Sequence, residues 1–292
     1  MSPFGSQSTA EEVTAGIDLT GKTWLITGVN SGLGRESARV LAKRGAHIIG
    51  LSRTAAKATA TFAELGIEGT AVACELGDLD SVRAAAAQVG DRQLDGIMAN
   101  AGIMALPSLQ QLRGVERQLA VNHIGHFVLV NALVPNLAAD GRVVILSSGA
   151  HRMADQGLEL DNTDGTKDYH PWRMYGRSKL ANIHFARSLA RRFAAEGSAR
   201  TANSLHPGVI RTGLARHIDD AETMFAGMKN VMKTVEQGAA TQCYVAVHPS
   251  LAGVSGLYFS DCAPKEPNAP GLNDAQSDAQ GDALWAWTET QI

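Results

Sequence analysis

The sequence predicts one α/β domain of the doubly wound type, with a parallel sheet of about seven strands and helices on both faces. Short apolar runs alternate with helical patterns along most of the 292 residues. The apolar runs are continuous, as expected for strands that are covered on both faces of a sheet. A glycine-rich turn joins the first strand to the first long helix, and this connection is typical of sheets that bind nucleotides.

The predicted elements follow one another in a regular order. The strands cover residues 23–27, 46–51, 69–74, 94–99, 142–146, 201–205 and 256–260. The helices cover residues 34–44, 54–65, 78–89, 110–137, 172–195 and 235–247. Ser8 and Glu11 have the spacing of a capping box and predict a short helix over residues 8–16. We expect a single domain over residues 1–292, with a peripheral N-terminal segment (1–20) and a C-terminal surface tail (263–292).

Composition excludes several classes of protein. The chain is 45% hydrophobic and 19% charged, with a net charge of -3 and no basic block, so we expect neither nucleic-acid nor membrane binding. No apolar run approaches the roughly 20 residues that span a bilayer. Cys74, Cys243 and Cys262 are odd in number and far apart, and the histidines lack ligand spacing. We therefore expect no metal site, and reduced thiols in a cytoplasmic protein.

The glycine turn predicts a dinucleotide site. Gly28, Gly32 and Gly34 form G-x-x-x-G-x-G between a strand and a helix. Glycines in this position let backbone N–H groups and the helix N-terminus receive a pyrophosphate, which makes the sequence a Rossmann-type candidate. The residues expected to contact the cofactor here are Gly28, Asn30, Ser31, Gly32, Leu33 and Gly34.

The end of the second strand indicates which dinucleotide is bound. The strand ends in Ser52 and Arg53, where a carboxylate would hold the adenosine ribose of NAD. An arginine can pair with a 2′-phosphate, and a carboxylate would repel it. We therefore expect NADP(H) to be preferred over NAD(H). The alternative is that Arg53 is a solvated loop residue.

Tyr175 and Lys179 are four residues apart in a helical pattern, so their side chains lie on one face. A free phenol, with a pKa of about 10, is a poor acid–base catalyst at neutral pH. A neighbouring ammonium group favours the phenolate and lowers that pKa. The pair is a candidate proton-transfer device, and the alternative is a solvated helix face.

Over residues 20–262 these motifs together resemble the short-chain dehydrogenase/reductase family, and most closely its retinol-dehydrogenase-like branch. The glycine turn resembles the TGxxxGxG motif, and Tyr175 with Lys179 resembles YxxxK. The other matching positions are Asn100, Ala101, Gly102, Asn122, Ser148, Pro207, Gly208, Ile210 and Thr212. Ser147 competes with Ser148 for the serine role, since neighbours in a strand face opposite ways.

The resemblance implies a catalytic set of Asn122, Ser148, Tyr175 and Lys179. Ser148 would hold the substrate carbonyl, and Asn122 would hold a water that links Lys179 to solvent. Tyr175 and Lys179 would also contact the cofactor, as would the NAG segment (Asn100, Ala101, Gly102) and the segment that carries Pro207, Gly208, Ile210 and Thr212.

Two departures from the family pattern affect supporting contacts. Glu75, before Leu76, stands where Asp usually contacts adenine, so we expect the contact to survive with shifted geometry. Ala99 replaces the first Asn of an NNAG segment, which puts one supporting hydrogen bond in doubt.

The expected activity is reversible hydride transfer between NADP(H) and a carbonyl or alcohol carbon of a small molecule. Residues 151–172 and the apolar segment 213–234 would shape the substrate pocket and favour bulky apolar aldehydes or ketones. The alternative for residues 213–234 is a helix pair packed on the core or on a neighbouring subunit. Related enzymes imply a homodimer or homotetramer. The competing hypothesis is a catalytically silent NADP(H) sensor of the same fold.

Overall fold

The computed structural model describes residues 2–218, 220–272 and 277–292 and contains one main sheet. The strands of the described chain are β1 (Thr23–Thr27), β2 (His47–Ser52), β3 (Gly69–Ala73), β4 (Leu94–Ala99), β5 (Gln111–Leu112), β6 (Val115–Glu116), β7 (Leu137–Leu146), β8 (Thr201–His206), β9 (Val209–Ile210), β10 (Met232–Lys233), β11 (Tyr258–Ser260) and β12 (Ala263–Pro264). The eight strands of the main sheet lie in the order β12-β11-β8-β7-β4-β1-β2-β3.

The doubly wound parallel sheet is confirmed. Seven strands of the main sheet pair in parallel, and β12 adds an antiparallel edge beside β11. The order turns back at β1, with β2 and β3 on one side and β4, β7, β8 and β11 on the other. A crevice forms at the carboxyl ends of the strands at such a switch point.

Helices cover both faces of the sheet. They are α1 (Ala10–Val13), α2 (Gly32–Lys43), α3 (Ala55–Leu65), α4 (Leu79–Val89), α5 (Arg117–Leu119), α6 (Gly125–Leu133), α7 (Pro171–Ala195), α8 (Ala221–Gly227), α9 (Val235–Val247) and α10 (Ser277–Glu289). One apolar core lies under α4, α6, α7 and α10, and the other lies under α1, α2, α3 and α9. Within the described ranges, no helix has the length and apolarity to cross a membrane.

The predicted helix over residues 110–137 is wrong in its first third. Residues 111–116 form the β5–β6 hairpin, in which Arg113 and Gly114 have φ of 53° and 77°. Two consecutive left-handed residues cannot continue a helix. Helix α5 then leads through a π-helical turn, Ala120–Ile124, into α6. The helical run ends at Leu133, next to a short 3-10 turn that contains Pro135.

The N-terminal helix is shorter than predicted and starts two residues later, at Ala10. Thr9, rather than Ser8, is the cap: its side chain accepts from the Glu12 amide, and Glu12 reaches back to the Thr9 amide. Ala10 and Val13 are buried against the core on the α9 side. The segment is therefore anchored to the domain by apolar burial.

The interpretation of residues 263–292 as a surface tail is wrong for the described part of that range. Residues 263–264 extend the sheet, residues 277–289 form α10, and residues 273–276 lie outside the described part. Trp285 of α10 is buried between Phe127 and Phe185, at ring-centroid distances of 4.8 and 5.8 Å, and stacks on Arg192. A chain segment rich in polar residues therefore contributes a large aromatic anchor to the core.

We expect Trp285→Ala to lower the free energy of unfolding by about 3–5 kcal/mol, because it empties an aromatic site in the core. Urea unfolding measures the change. Asp282→Ala on the same helix breaks only the exposed ion pair with Arg191 and is expected to cost about 1 kcal/mol or less. Equal effects of the two substitutions would show that α10 is held by its surface charges.

Candidate active site

A cavity of about 840 Å³ lies at the carboxyl ends of the strands. It runs from Ser52 and Arg53, past the glycine turn, to Ser148 and Tyr175. Every site residue predicted from the sequence lines this cavity except Gly34 and Asn122, which lie behind its wall. The sheet topology thus brings motifs from distant parts of the chain into one crevice.

Gly34 has no room for a side chain. A Cβ atom on Gly34 would lie 2.3 Å from the Gly28 carbonyl oxygen and 2.5 Å from Nδ2 of Asn100. Gly28 and Gly32 adopt φ of 74° and 52°, which L side chains rarely adopt. The side chain of Ser31, at the N-cap of α2, makes no cap hydrogen bond. The first-turn amides of α2 therefore lack a side-chain acceptor at the cavity wall, which suits a diphosphate.

The adenosine end of the cavity carries the residues expected from the sequence, with one difference. The Ser52 hydroxyl is buried and donates to the Thr54 carbonyl at 2.8 Å, so its proton is already committed. Arg53 is exposed, and Thr54 at the N-cap of α3 makes no side-chain cap bond. The cation and the helix terminus are the groups suited to an anion here. On the same wall, Glu75 accepts from the Gly77 amide at 3.2 Å.

Ser148, Tyr175 and Lys179 meet at the other end of the cavity. The Lys179 ammonium lies 5.6 Å from the Tyr175 ring centroid and donates to the Leu146 carbonyl at 3.2 Å. The Ser148 hydroxyl accepts from the Ala150 amide at 3.1 Å. It also lies close enough to the Tyr175 phenol to lower the pKa of that phenol. The Ser147 hydroxyl instead donates to the Lys179 carbonyl at 2.7 Å. Ser148 is therefore the serine available at the phenol, and Ser147 holds the helix to the sheet.

Burial dominates the protonation of this pair. It raises the pKa of Tyr175 to about 12, against a smaller lowering by the hydrogen bond from Ser148. Burial also lowers the pKa of Lys179 to about 8. The expectation that Lys179 lowers the pKa of Tyr175 is thus not met in this structure, because desolvation acts on both groups. Tyr175 is protonated at neutral pH and can act as a proton donor.

Asn122 lies in the π-helical turn and supports the site from behind. Its side chain binds both the amide and the carbonyl of Ile103 at 2.9 Å and also donates to the Ser178 hydroxyl. Ser178 in turn donates to the Tyr175 carbonyl. A Cβ atom on Gly102 would lie 3.1 Å from Oδ1 of Asn122 and 3.5 Å from Nζ of Lys179. Because glycine has no side chain, the Asn122 amide oxygen and the Lys179 ammonium can both lie close to the backbone at position 102.

His126 was not predicted from the sequence as a site residue, yet it connects Asn122 with Thr27. These two residues hold the loop after β4, which forms the floor of the cavity. Its Nδ1 lies 3.0 Å from the Asn122 carbonyl, which only accepts, so Nδ1 carries the proton. Nε2 therefore accepts from the Thr27 hydroxyl at 2.9 Å. The Thr27 oxygen accepts from the amides of Asn100 and Ala101. The only sequence signal was a histidine one helical turn after Asn122.

The segment after β8 closes the cavity over the glycine turn. A Cβ atom on Gly32 would lie 3.2 Å from the Thr212 methyl group, so the two segments touch. Gly208 has φ of 107°, and a Cβ there would lie 2.7 Å from the Lys233 side chain. Lys233 is buried and paired with Asp261 at 2.5 Å. This ion pair fixes the cavity-lining backbone at Gly208.

The two segments expected to shape the substrate pocket reach it in part. Of the apolar residues in segment 213–234, the cavity-lining ones are Leu214, Ala215, Ile218, Met224, Phe225 and Met228, whereas Val231 and Met232 do not line it. Arg152, Met153 and Trp172 line it from segment 151–172. Arg177 of α7 holds that segment by donating to the carbonyls of Leu158, Glu159 and Asn162. Met104 and Arg117 also line the cavity, and their sequence context carried no signal.

The fold and the cavity are those of a nicotinamide-dependent dehydrogenase, and comparison with known proteins gives the family. The family model described as short chain dehydrogenase matches residues 22–223. The chain belongs to the short-chain dehydrogenase/reductase family.

Several relatives are similar over most of their length. Short-chain dehydrogenase TIC 32 B, chloroplastic, from Brassica napus is 38% identical over 97% of this chain and 92% of its own. Human retinol dehydrogenase 14 is 36% identical over 93% of this chain and 86% of its own. These similarities agree with the retinol-dehydrogenase-like branch indicated by the motifs.

Solved structures share the architecture. An uncharacterized protein from Mycobacterium paratuberculosis superposes with a TM-score of 0.77 at 32% identity, covering 96% of both chains. A short-chain dehydrogenase from Burkholderia cenocepacia J2315, solved in complex with NADP, has a TM-score of 0.67 at 26% identity, covering 82% of this chain and 96% of its own.

We expect Gly34→Ala to weaken dinucleotide binding by at least about tenfold, because the methyl group displaces the Gly28 carbonyl or the Asn100 side chain. Quenching of tryptophan fluorescence by NADPH measures the dissociation constant. Gly5→Ala is the matched control, since a Cβ there meets nothing within 4 Å. Unchanged binding in the Gly34 variant would contradict the assignment of the glycine turn as the diphosphate site.

We expect His126 to make stability sensitive to acid. Burial lowers its pKa from 6.5 to about 4, so between these values the unfolded chain binds a proton that the folded chain does not. Stability should therefore fall with falling pH, by about 1.4 kcal/mol per pH unit for this group.

Urea unfolding of wild type and His126→Asn between pH 6 and 4.5 tests the histidine. An asparagine one turn after its acceptor can keep the bond to the Asn122 carbonyl, as Asn131 does to the Phe127 carbonyl at 2.8 Å. The slope of the unfolding free energy against pH should be smaller in the variant than in wild type. The difference should equal the contribution of about one proton. An identical slope would show that His126 does not titrate in this range.

Proposed function

We propose that the protein transfers hydride reversibly between NADP(H) and the carbonyl or alcohol carbon of an apolar small molecule. The observation that carries this proposal is the convergence of Ser148, Tyr175 and Lys179 on an apolar-walled end of a cavity whose other end is a dinucleotide cradle. The uncapped α2 terminus and the Gly34 contact support the cradle. The residues present therefore fit a nicotinamide dinucleotide.

The protein's own contribution is orientation and proton handling. A bound nicotinamide supplies or accepts the hydride. Tyr175, protonated at neutral pH, would donate its phenolic proton to the alkoxide oxygen that develops during reduction, and would take it back during oxidation. The Ser148 hydroxyl would hold that oxygen beside the phenol. Lys179 would place a positive charge near the phenolate once the proton has left, which stabilises it.

The substrate end of the cavity favours bulky apolar compounds. Trp172 meets the Tyr175 ring edge-on at a centroid distance of 6.3 Å, and Met224, Phe225 and Met228 line the cavity from the segment after β9. Methionine side chains adapt to different shapes. We propose that residues 213–234 act as a substrate lid.

An NADPH-oxidation screen over aldehydes and ketones of graded size tests the reaction, with Tyr175→Phe as the blank. We expect turnover of bulky apolar carbonyls in wild type and a loss of at least ~10²-fold in the variant, because the phenolic proton is gone. NADPH binding by the variant should stay near that of wild type. NADPH binding by wild type without turnover of any compound would favour the silent sensor instead.

We further propose that Arg53 makes the site prefer NADP(H) over NAD(H). Arg53→Gln should raise the Michaelis constant for NADPH roughly tenfold, by loss of a charge-assisted bond, and leave that for NADH nearly unchanged. Arg92→Gln is the matched control. Arg92 is exposed and precedes β4, so it lies at the amino ends of the strands, away from the cavity. A lower Michaelis constant for NADH than for NADPH in wild type would refute this preference.

Two broader expectations stay proposals. We propose a cytoplasmic location, with the buried cysteines Cys74, Cys243 and Cys262 as free thiols. We also propose a homodimer or homotetramer, on the basis of the family.

A further inference from the structure

The substrate end of the cavity carries an excess of positive charge. Arg117, Arg152 and Arg216 line the cavity. Arg117 precedes Gln118, which donates to the Pro171 carbonyl beside Trp172. Arg152 lies four residues after Ser148, and Arg216 lies four residues after Thr212. The one carboxylate among the described cavity-lining residues is Glu75, which lies at the adenosine end. An anion at the Tyr175 end would therefore meet cations and no opposing carboxylate.

These guanidinium groups differ from a neighbour on the same segment. Arg211 pairs with Glu222 and lies over the Phe225 ring. Within the described chain, Arg117, Arg152 and Arg216 form no ion pair.

Within the described chain, Arg117 and Arg216 each donate one side-chain hydrogen bond, in both cases to a neutral oxygen. Arg117 donates through Nη1 to Oε1 of Gln110, and Arg216 donates through Nη1 to the Gly213 carbonyl. Each guanidinium has five N–H donors, so both retain donors for a further partner.

Arg117 and Arg216 come from different elements but line the same cavity. Arg117 begins α5, and Arg216 follows Thr212 in the segment after β9. Both are exposed to solvent, as residues at the mouth of a cavity are. The pKa of His217, the residue after Arg216, is lowered first by burial, then by the charge of Arg216 and then by that of Arg117, which agrees with two neighbouring cations.

We propose that the substrate is an apolar aldehyde or ketone that carries a carboxylate at the end distant from its carbonyl group. The apolar wall receives the body of the molecule, and Arg117 and Arg216 bind the carboxylate at the mouth. The planar guanidinium matches a carboxylate geometrically and gives strong charge-assisted bonds. This inference rests on the proposed function for the identity of the reacting end of the cavity.

The test is calorimetric binding of non-reacting probes to the protein saturated with NADP⁺. The probes are 3-phenylpropanoate, 5-phenylpentanoate and 8-phenyloctanoate, each compared with its own amide. For at least one length we expect the acid to bind roughly tenfold more tightly than the amide at low salt, the effect of one charge-assisted bond. The ratio should fall as NaCl is added, because both arginines are exposed.

Variants separate the arginines from other cations. In Arg117→Gln/Arg216→Gln the ratio of the acid and amide dissociation constants should approach one. Arg113→Gln is the matched control, since Arg113 is exposed, donates to the Gly77 carbonyl and does not line the cavity; it should keep the wild-type ratio.

Several results would overturn the inference: no acid binds, the amides bind as tightly at every length, or the acid preference persists in the double variant. Weaker NADPH binding in the double variant with an unchanged acid ratio would show that these arginines serve the cofactor phosphates. Failure of the proposed function looks different, because acid binding would then persist while the carbonyl screen shows no NADPH oxidation.

Discussion

The Thr27 hydroxyl is the point on which the geometry of the cavity floor depends. It donates its one hydrogen bond to Nε2 of His126 and accepts hydrogen bonds from the amides of Asn100 and Ala101. Because the direction of every bond is fixed, the end of β1, the loop after β4 and the π-helical turn are held in one arrangement. Asn122 holds the same loop from the other side through Ile103. A cavity between separate strands thus acquires a floor that does not depend on a ligand.

Helix α7 carries two cavity-lining groups and also supports segment 151–172, part of which lines the cavity. Tyr175 and Lys179 face the cavity, while Arg177 between them turns away and is fully buried among backbone carbonyls of segment 151–172. Burial shifts the two facing groups in opposite directions, with the phenol held protonated and the pKa of the ammonium lowered. A single helix therefore fixes the phenol, its neighbouring charge and one wall of the cavity.

Local patterns predicted the fold class, the glycine turn and the Tyr175–Lys179 pair, because these are short-range features. The other predicted cavity residues, such as Ser148 and Thr212, came from the resemblance to a known family. One error was local, since Arg113 and Gly114 break a helix that periodicity alone favours. The other errors arose where distant contacts decide. The proton direction at His126 depends on a threonine 99 positions earlier in the chain. The pKa of Tyr175 depends on burial, which spacing on a helix does not reveal. Arg117 comes near Arg216 and His217 only through tertiary packing.

Helix α10 has a consequence for the order of events during synthesis. Trp285 completes an aromatic cluster with Phe127 and Phe185, and it packs on the same helix that carries Tyr175 and Lys179. A ribosome must therefore translate as far as Trp285 before the outer side of α7 is covered. Until then that apolar surface is open to chaperones and to aggregation. The nascent protein passes through a vulnerable stage that ends only when α10 has been translated.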